Sequence, residues 1–270
     1  MGLKPTAKRI YPAPTSATER MIVPRSPSGI PGLDTVLQGG YPTNTTIALR
    51  AEPSNASELF LQQFVSEGLK LGNPVIYCCM YRHPASLIKS MRQAGTDVVE
   101  AVANNQLVLL DCFSMQKLPL EVGLDKIVHR KIIPIEDVDD ERLLQDGLAT
   151  AVERLATLRG LRAVCESLPS ALTVRNGMDI VRWGRRAFGD LRAFDTITVH
   201  MFPLGVREEL FDLMAEDFDG VIEIRAERNT DRIRYVLDVR KMRLTDVPLK
   251  MFDLDTEGAV LSLKTVQKIT

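Results

Sequence analysis

Long apolar runs are missing from these 270 residues. The longest spans a handful of positions, far short of the ~20 that a membrane-crossing helix needs, so no membrane span is expected. A surplus of one charge is missing too: 34 Lys and Arg stand against 35 Asp and Glu, a formal net charge of -1. That balance does not advertise a strongly basic nucleic-acid binder. Cysteine is scarce, with Cys78, Cys79, Cys112 and Cys165 each inside a short apolar stretch. None has C-x-x-C spacing, which argues against a disulfide scaffold or zinc site and suits a reducing, cytoplasmic setting. On a strand the vicinal Cys78 and Cys79 point to opposite faces, so they read as small buried hydrophobes. His83, His129 and His200 are too scattered for a metal triad, and no metal site is expected; His200 lies in an apolar strand and reads as core.

What is present is an alternation of two periodicities. Apolar stretches of strand length, Thr45 to Leu49, Pro74 to Cys79, Leu107 to Cys112, Leu161 to Cys165 and Thr196 to Met201, imply strands buried on both faces. Between them, Glu58 to Leu71, Pro84 to Gln93, Asp139 to Leu158 and Gly177 to Ala193 carry apolar residues at helical spacing. Acidic residues from Glu136 to Glu141 precede the third of these, read as the longest helix, where negative charge favours a helix start. The pattern predicts an α/β fold with a parallel sheet and crossover helices. From Asp219 onward the period shortens: Val221 to Arg225 and Ile233 to Val239 flank a polar turn from Glu227 to Arg232. That spacing predicts an antiparallel hairpin, with a last strand from Gly258 to Lys264 beside it. Residues 1–27, rich in Pro, Ser and Thr, read as a flexible arm or docking peptide, and residues 28–270 as one domain without internal repeats.

Four motifs then agree in register. Ser28 to Pro42 reads S-G-I-P-G-L-D-T-V-L-Q-G-G-Y-P, Pro84 to Met91 reads P-A-S-L-I-K-S-M, Val164 to Leu168 reads V-C-E-S-L, and Val239 to Arg243 reads V-R-K-M-R. Together they resemble KaiC-like proteins of the RecA ATPase superfamily, over about residues 26 to 265. The resemblance implies a RecA-like parallel sheet flanked by helices, a C-terminal antiparallel hairpin extension, and assembly into rings or filaments with a nucleotide at each boundary. Fold alone does not carry the activity, so the site residues count one by one.

A working phosphate loop reads G-x-x-x-x-G-K-S/T: glycines let backbone N–H groups wrap phosphate, the lysine reaches the β and γ phosphates, and the hydroxyl ligates magnesium. By the resemblance, that octet falls on Ala51, Glu52, Pro53, Ser54, Asn55, Ala56, Ser57 and Glu58. Every signature position differs. Pro53 removes an N–H, Ser57 brings no cation, and Glu58 puts a carboxylate in place of a hydroxyl. The last two changes shift the local charge by about two units, each worth ~4 kcal/mol at 4 Å and an effective dielectric near 20. Ordinary triphosphate binding should be severely weakened, although a helix N-terminus still offers N–H groups to an anion.

The family's paired catalytic glutamates fall on Tyr81 and Arg82, neither of which serves as a base at neutral pH. Tyr81 reads as a packed, hydrogen-bonded ring; Arg82 reads as a solvated loop residue or the partner of an acid. Glu166 stands at the Walker B position, one acid without the hydroxyl that completes a magnesium site. Lys241 and Arg243 match the K-x-R that the family uses across subunits; here they are candidates to act in trans or to pair with Glu58 or Glu166 of a neighbour. Arg182, Arg185 and Arg186 share one helical face, between Arg175 and Arg192, and are candidate nucleic-acid contacts; a solvated face or subunit contact is the favoured reading, with Trp183 as a packing anchor. The expectation is a non-catalytic KaiC/RecA-like paralogue without a cofactor. It would be oligomeric, with itself, an active paralogue or another regulatory protein. The alternatives are a residual ATPase using ATP with magnesium, and a DNA recombination or repair accessory protein.

Overall fold

Strand-length apolar runs from distant parts of the chain pair side by side, because each leaves two apolar faces that only helices can cover. The computed structural model describes residues 23–114, 126–138, 140–166, 191, 194–206, 208–228 and 233–264. In chain order the elements are β1 (Arg25–Ser26), α1 (Leu33–Val36), β2 (Tyr41–Pro42), β3 (Thr45–Ala51), α2 (Asn55–Lys70), β4 (Val75–Cys79), α3 (Pro84–Gln93), α4 (Val99–Ala103), β5 (Leu107–Asp111) and α5 (Lys126–Lys131). They continue with β6 (Ile133–Pro134), α6 (Glu141–Arg154), β7 (Arg162–Cys165), β8 (Ile197–Pro203), α7 (Glu208–Ala215), β9 (Gly220–Arg228), β10 (Ile233–Met242), β11 (Phe252–Asp255) and β12 (Ser262–Leu263).

Ten strands form one sheet in the order β12-β11-β10-β9-β3-β8-β7-β4-β5-β6. From β9 to β6 every neighbour is parallel, and from β9 to β12 every neighbour is antiparallel. Period-2 alternation divides the core between the two faces. Ile47, Leu49, Val75, Tyr77 and Cys79 face α1 to α4. Ala48, Ile76, Cys78 and Cys165 face α6 and α7. Cys78 and Cys79 thus lie on opposite faces, and all four cysteines are free and buried, as expected. His200 is a core residue on β8, edge-on to Phe218.

The Ser28 to Pro42 motif has a local structural cause. The Ser28 amide donates to Asp34 Oδ1 at 2.7 Å, closing the turn that starts α1. Gly40 stands at φ +112°, and a Cβ there would lie 2.3 Å from the Ser26 carbonyl oxygen, so the β1-β2 ribbon admits only glycine.

Several boundaries differ from expectation. Helix α2 starts at Asn55, three residues before Glu58, because Ser54 caps it. It is 16 residues long, whereas α6 has 14 and is not the longest. At the C-terminus the expected strand from Gly258 is a 3-10 turn at Glu257–Ala259 followed by the two-residue β12. The strand beside the hairpin is β11, which sequence reading left out. Ordered structure also reaches into the segment read as the arm. Arg25 donates to the Leu37, Gly40 and Leu244 carbonyls, and the fully buried Arg162 donates to Ser26 Oγ and the Pro27 carbonyl.

Candidate functional site

The stretch from Ala51 to Glu58 runs from the end of β3 into the first turn of α2, the strand-turn-helix position that the resemblance assigns to it. None of its residues has a positive φ, so the turn makes no use of glycine's freedom. The start of α2 is closed by its own side chains. Ser57 N–H donates to Ser54 Oγ at 3.4 Å, and Ser54 N–H donates to Ser57 Oγ at 3.1 Å, a reciprocal capping box. The Ser57 hydroxyl donates in turn to the Glu52 carbonyl at 2.9 Å. The Ser54 and Ser57 amides are therefore already engaged within the chain.

Above this turn sits a charge network centred on Arg82. Its Nη1 donates to Glu58 Oε1 at 2.5 Å, and its Nε donates to Glu166 Oε1. Tyr77, on β4, donates its hydroxyl to the same Glu166 oxygen at 3.0 Å. Glu58 Oε1 also accepts from Ser90 Oγ at 2.5 Å and from Gln62 Nε2 at 2.8 Å. The burial of the three charges is unequal: the side chain of Glu166 is 0% exposed, Arg82 12% and Glu58 30%. Burial raises the Glu166 carboxyl above its ordinary range, although the Arg82 charge and the Tyr77 hydrogen bond pull the other way. For Glu58 burial also pushes upward, but hydrogen bonds from Ser90, Arg82 and Gln62 and the Arg82 charge outweigh it and leave the carboxyl lowered.

Glu166 and Arg82 are at the carboxyl ends of adjacent parallel strands, where α/β sheets place ligands. A family model described as "ATPase: KaiC" matches residues 26–263. This chain belongs to the KaiC-like family. It is 26% identical over 250 residues to a UPF0273 protein of Methanocaldococcus jannaschii, covering 91% of this chain and 99% of that one. With a UPF0273 protein of Thermotoga maritima it shares 24% over 246 residues, 89% and 96% of the two chains. The crystal structure of a KaiC-like protein from Pyrococcus horikoshii superposes with a TM-score of 0.69 at 18% identity, over 90% of this chain and all of that one. That likeness supports the RecA-like fold and nothing finer.

In this KaiC-like chain the sequence-selected residues fall into three groups. Ser54, Ser57, Glu58, Arg82 and Glu166 come together in one site. Tyr81 is 38% exposed, beside Arg82 with its ring centre 5.4 Å from the guanidinium; burial pushes its phenol well above the ordinary value. Lys241 and Arg243 lie elsewhere. Lys241 Nζ donates to the Phe218 carbonyl at 2.6 Å, and Arg243 donates to the Asn44 carbonyl at 2.9 Å and pairs with Asp219 at 3.3 Å. Within the chain, the cation that meets Glu58 and Glu166 is Arg82. Arg82 is an acid's partner and not a solvated loop residue. Arg175, Arg182, Trp183, Arg185, Arg186 and Arg192 lie outside the described residues.

Sequence reasoning missed the supporting polar groups. Ser90 and Gln62 sit on α3 and α2 at helical positions that carry no motif signal. Arg50, buried at the end of β3, stacks on Phe211 at 4.8 Å and reaches the buried Glu223 at 3.8 Å. A charged pair facing across two central strands was detectable as Arg50 and Glu223 inside otherwise apolar runs. Among the described residues, no group of three or more His, Cys, Asp or Glu is placed to hold a metal ion, and no helix is long and apolar enough to cross a membrane.

Proposed function

We propose that this protein is a non-catalytic KaiC-like paralogue, a pseudo-ATPase that keeps the fold and acts as a regulatory or scaffolding partner in the cytoplasm. The observation that carries this reading is the Arg82 guanidinium lying between Glu58 and Glu166. Two sign changes explain it. The phosphate-loop side has lost its cation and gained a carboxylate, while the catalytic-acid side has lost its carboxylates and gained a cation. Each change alone opposes ATP chemistry; together they cancel each other inside one chain.

The residues present do not fit ATP with magnesium. A triphosphate over the turn would meet the Glu58 carboxylate, a capping box that already holds the Ser54 and Ser57 amides, and Pro53, which has no N–H to donate. Recruiting Arg82 to the phosphates would strip the buried Glu166 of its cation, at a cost of about 3–5 kcal/mol. The two positions that the resemblance assigns to the catalytic glutamates supply no base either, because Tyr81 stays a neutral phenol and Arg82 a cation. With the chemistry removed and a complete core retained, function is assigned to surfaces: association with itself, with an active paralogue, or with another regulatory protein.

The test is magnesium-dependent ATP hydrolysis by the purified chain alone and with Glu166→Gln. The reading expects no turnover in either. Turnover that the substitution abolishes would return the chain to the ATPases.

A further inference from the structure

A cavity lies away from the Arg82 network. It has a volume of about 280 Å³ and opens along the outer face of α2, between the end of α3 and the turn at Ala259 and Val260. That volume is near the lower end of the ~300–1,000 Å³ of small-molecule sites, too small for a nucleotide and suited to a compact metabolite. Its floor is apolar, with Leu59 and Met91 buried and Ala94 beside them. Glu67 and Lys70, one helical turn apart, carry opposite charges on its wall. Among the described residues neither forms an ion pair or a side-chain hydrogen bond. Glu67 acts on the buried Arg162 as a nearby charge without an ion pair between them.

The surrounding polar groups are fixed by the protein itself. Gln63 is held by the Gly29 and Leu261 carbonyls and by the Leu261 amide, and Ser66 and Thr96 bond to each other at 2.9 Å. A built frame therefore surrounds an apolar floor and two unpaired opposite charges. We propose that this cavity binds a small aliphatic α-amino acid, its ammonium on Glu67, its carboxylate on Lys70 and its side chain over Leu59 and Met91. A single-charge ligand satisfies only one of the two wall groups. Gln62 lines the same cavity and donates to Glu58, so the occupant sits one side chain from the Arg82 network and is placed to act as an effector.

The experiment is calorimetric titration of the full chain with L-leucine and L-methionine, and with isocaproate and isoamylamine, which keep the apolar group and one charge each. Saturable binding of at least one amino acid is expected by about 10 mM, a concentration that nearly fills a ~1 mM site. Each single-charge analogue, and each of Glu67→Gln and Lys70→Met, should weaken it about tenfold or more, the loss of one charge-assisted hydrogen bond. Both substitutions are on the helix surface, and unchanged thermal unfolding shows that the variants are folded. No saturation with either amino acid overturns the proposal. So does equal binding of the analogues, or binding that survives both substitutions.

Discussion

Replacing Arg82 by Met removes the charge from the centre of the network and keeps most of the side chain's apolar length. Two ion pairs are lost, and they do not count equally. The Glu58 side chain is 30% exposed and keeps Ser90 and Gln62, so its share is that of a surface pair, within about 1 kcal/mol. The Glu166 side chain is 0% exposed and is left buried with its charge uncompensated, the case that costs about 3–5 kcal/mol. The total at neutral pH should therefore be on the order of 4 kcal/mol, nearly all of it from Glu166. The pH dependence has a definite sign. Glu166 is already raised in the folded chain, so its favourable contribution is complete below the unfolded carboxylate value and is lost as pH rises through the folded one. Removing Arg82 takes away a charge that lowers this carboxyl, which moves the upper limit of that window further up. Urea unfolding followed by circular dichroism should show a deficit that is large at pH 7 and shrinks towards pH 5. Adding Glu166→Gln should recover most of it. A deficit below about 1 kcal/mol, indifferent to pH and to the second substitution, would refute the network as an energetic unit.

Other perturbations test the surrounding account. Ser57→Lys with Glu58→Thr restores a cation and a hydroxyl and frees Arg82 to pair with Glu166 alone; ATP affinity measured by equilibrium dialysis should rise about tenfold or more above the parent chain. Arg243→Ala should change stability by no more than about 1 kcal/mol and leave the oligomeric mass unchanged in light scattering, since the side chain is engaged with Asn44 and Asp219 of its own chain. Gly40→Ala forces a Cβ to within 2.3 Å of the Ser26 carbonyl oxygen at positive φ, and should lower the unfolding free energy by roughly 1–3 kcal/mol. Deleting residues 1–27 removes the Ser26 and Pro27 acceptors of the buried Arg162 and should lower the melting temperature by several degrees.

The parallel core was legible because β3, β4, β5, β7 and β8 are apolar on both faces, a pattern that only a helix-covered sheet explains. The C-terminal strands were less so. Phe252 to Asp255 alternates over only four residues, and Ser262–Leu263 has two, too few for a period to emerge. The start of α2 was misplaced because a serine cap with a serine three residues on is a weaker signal than Ser with Glu or Gln. At the site, motif register read Glu58, Arg82 and Glu166 as altered positions. It did not reveal that the three meet, because their charges cancel only after β4, β7 and α2 converge. Ser90 and Gln62 carry no signature, since a hydrogen bond between two helices leaves no spacing in the sequence.

The central claim is that the Glu58, Arg82 and Glu166 network stands where a triphosphate would bind. Equilibrium titration of the purified chain with a fluorescent ATP analogue and magnesium, from micromolar to millimolar nucleotide, tests it most directly. The account predicts a signal that never saturates and is unchanged by excess ATP. A saturable curve that unlabelled ATP displaces would contradict it.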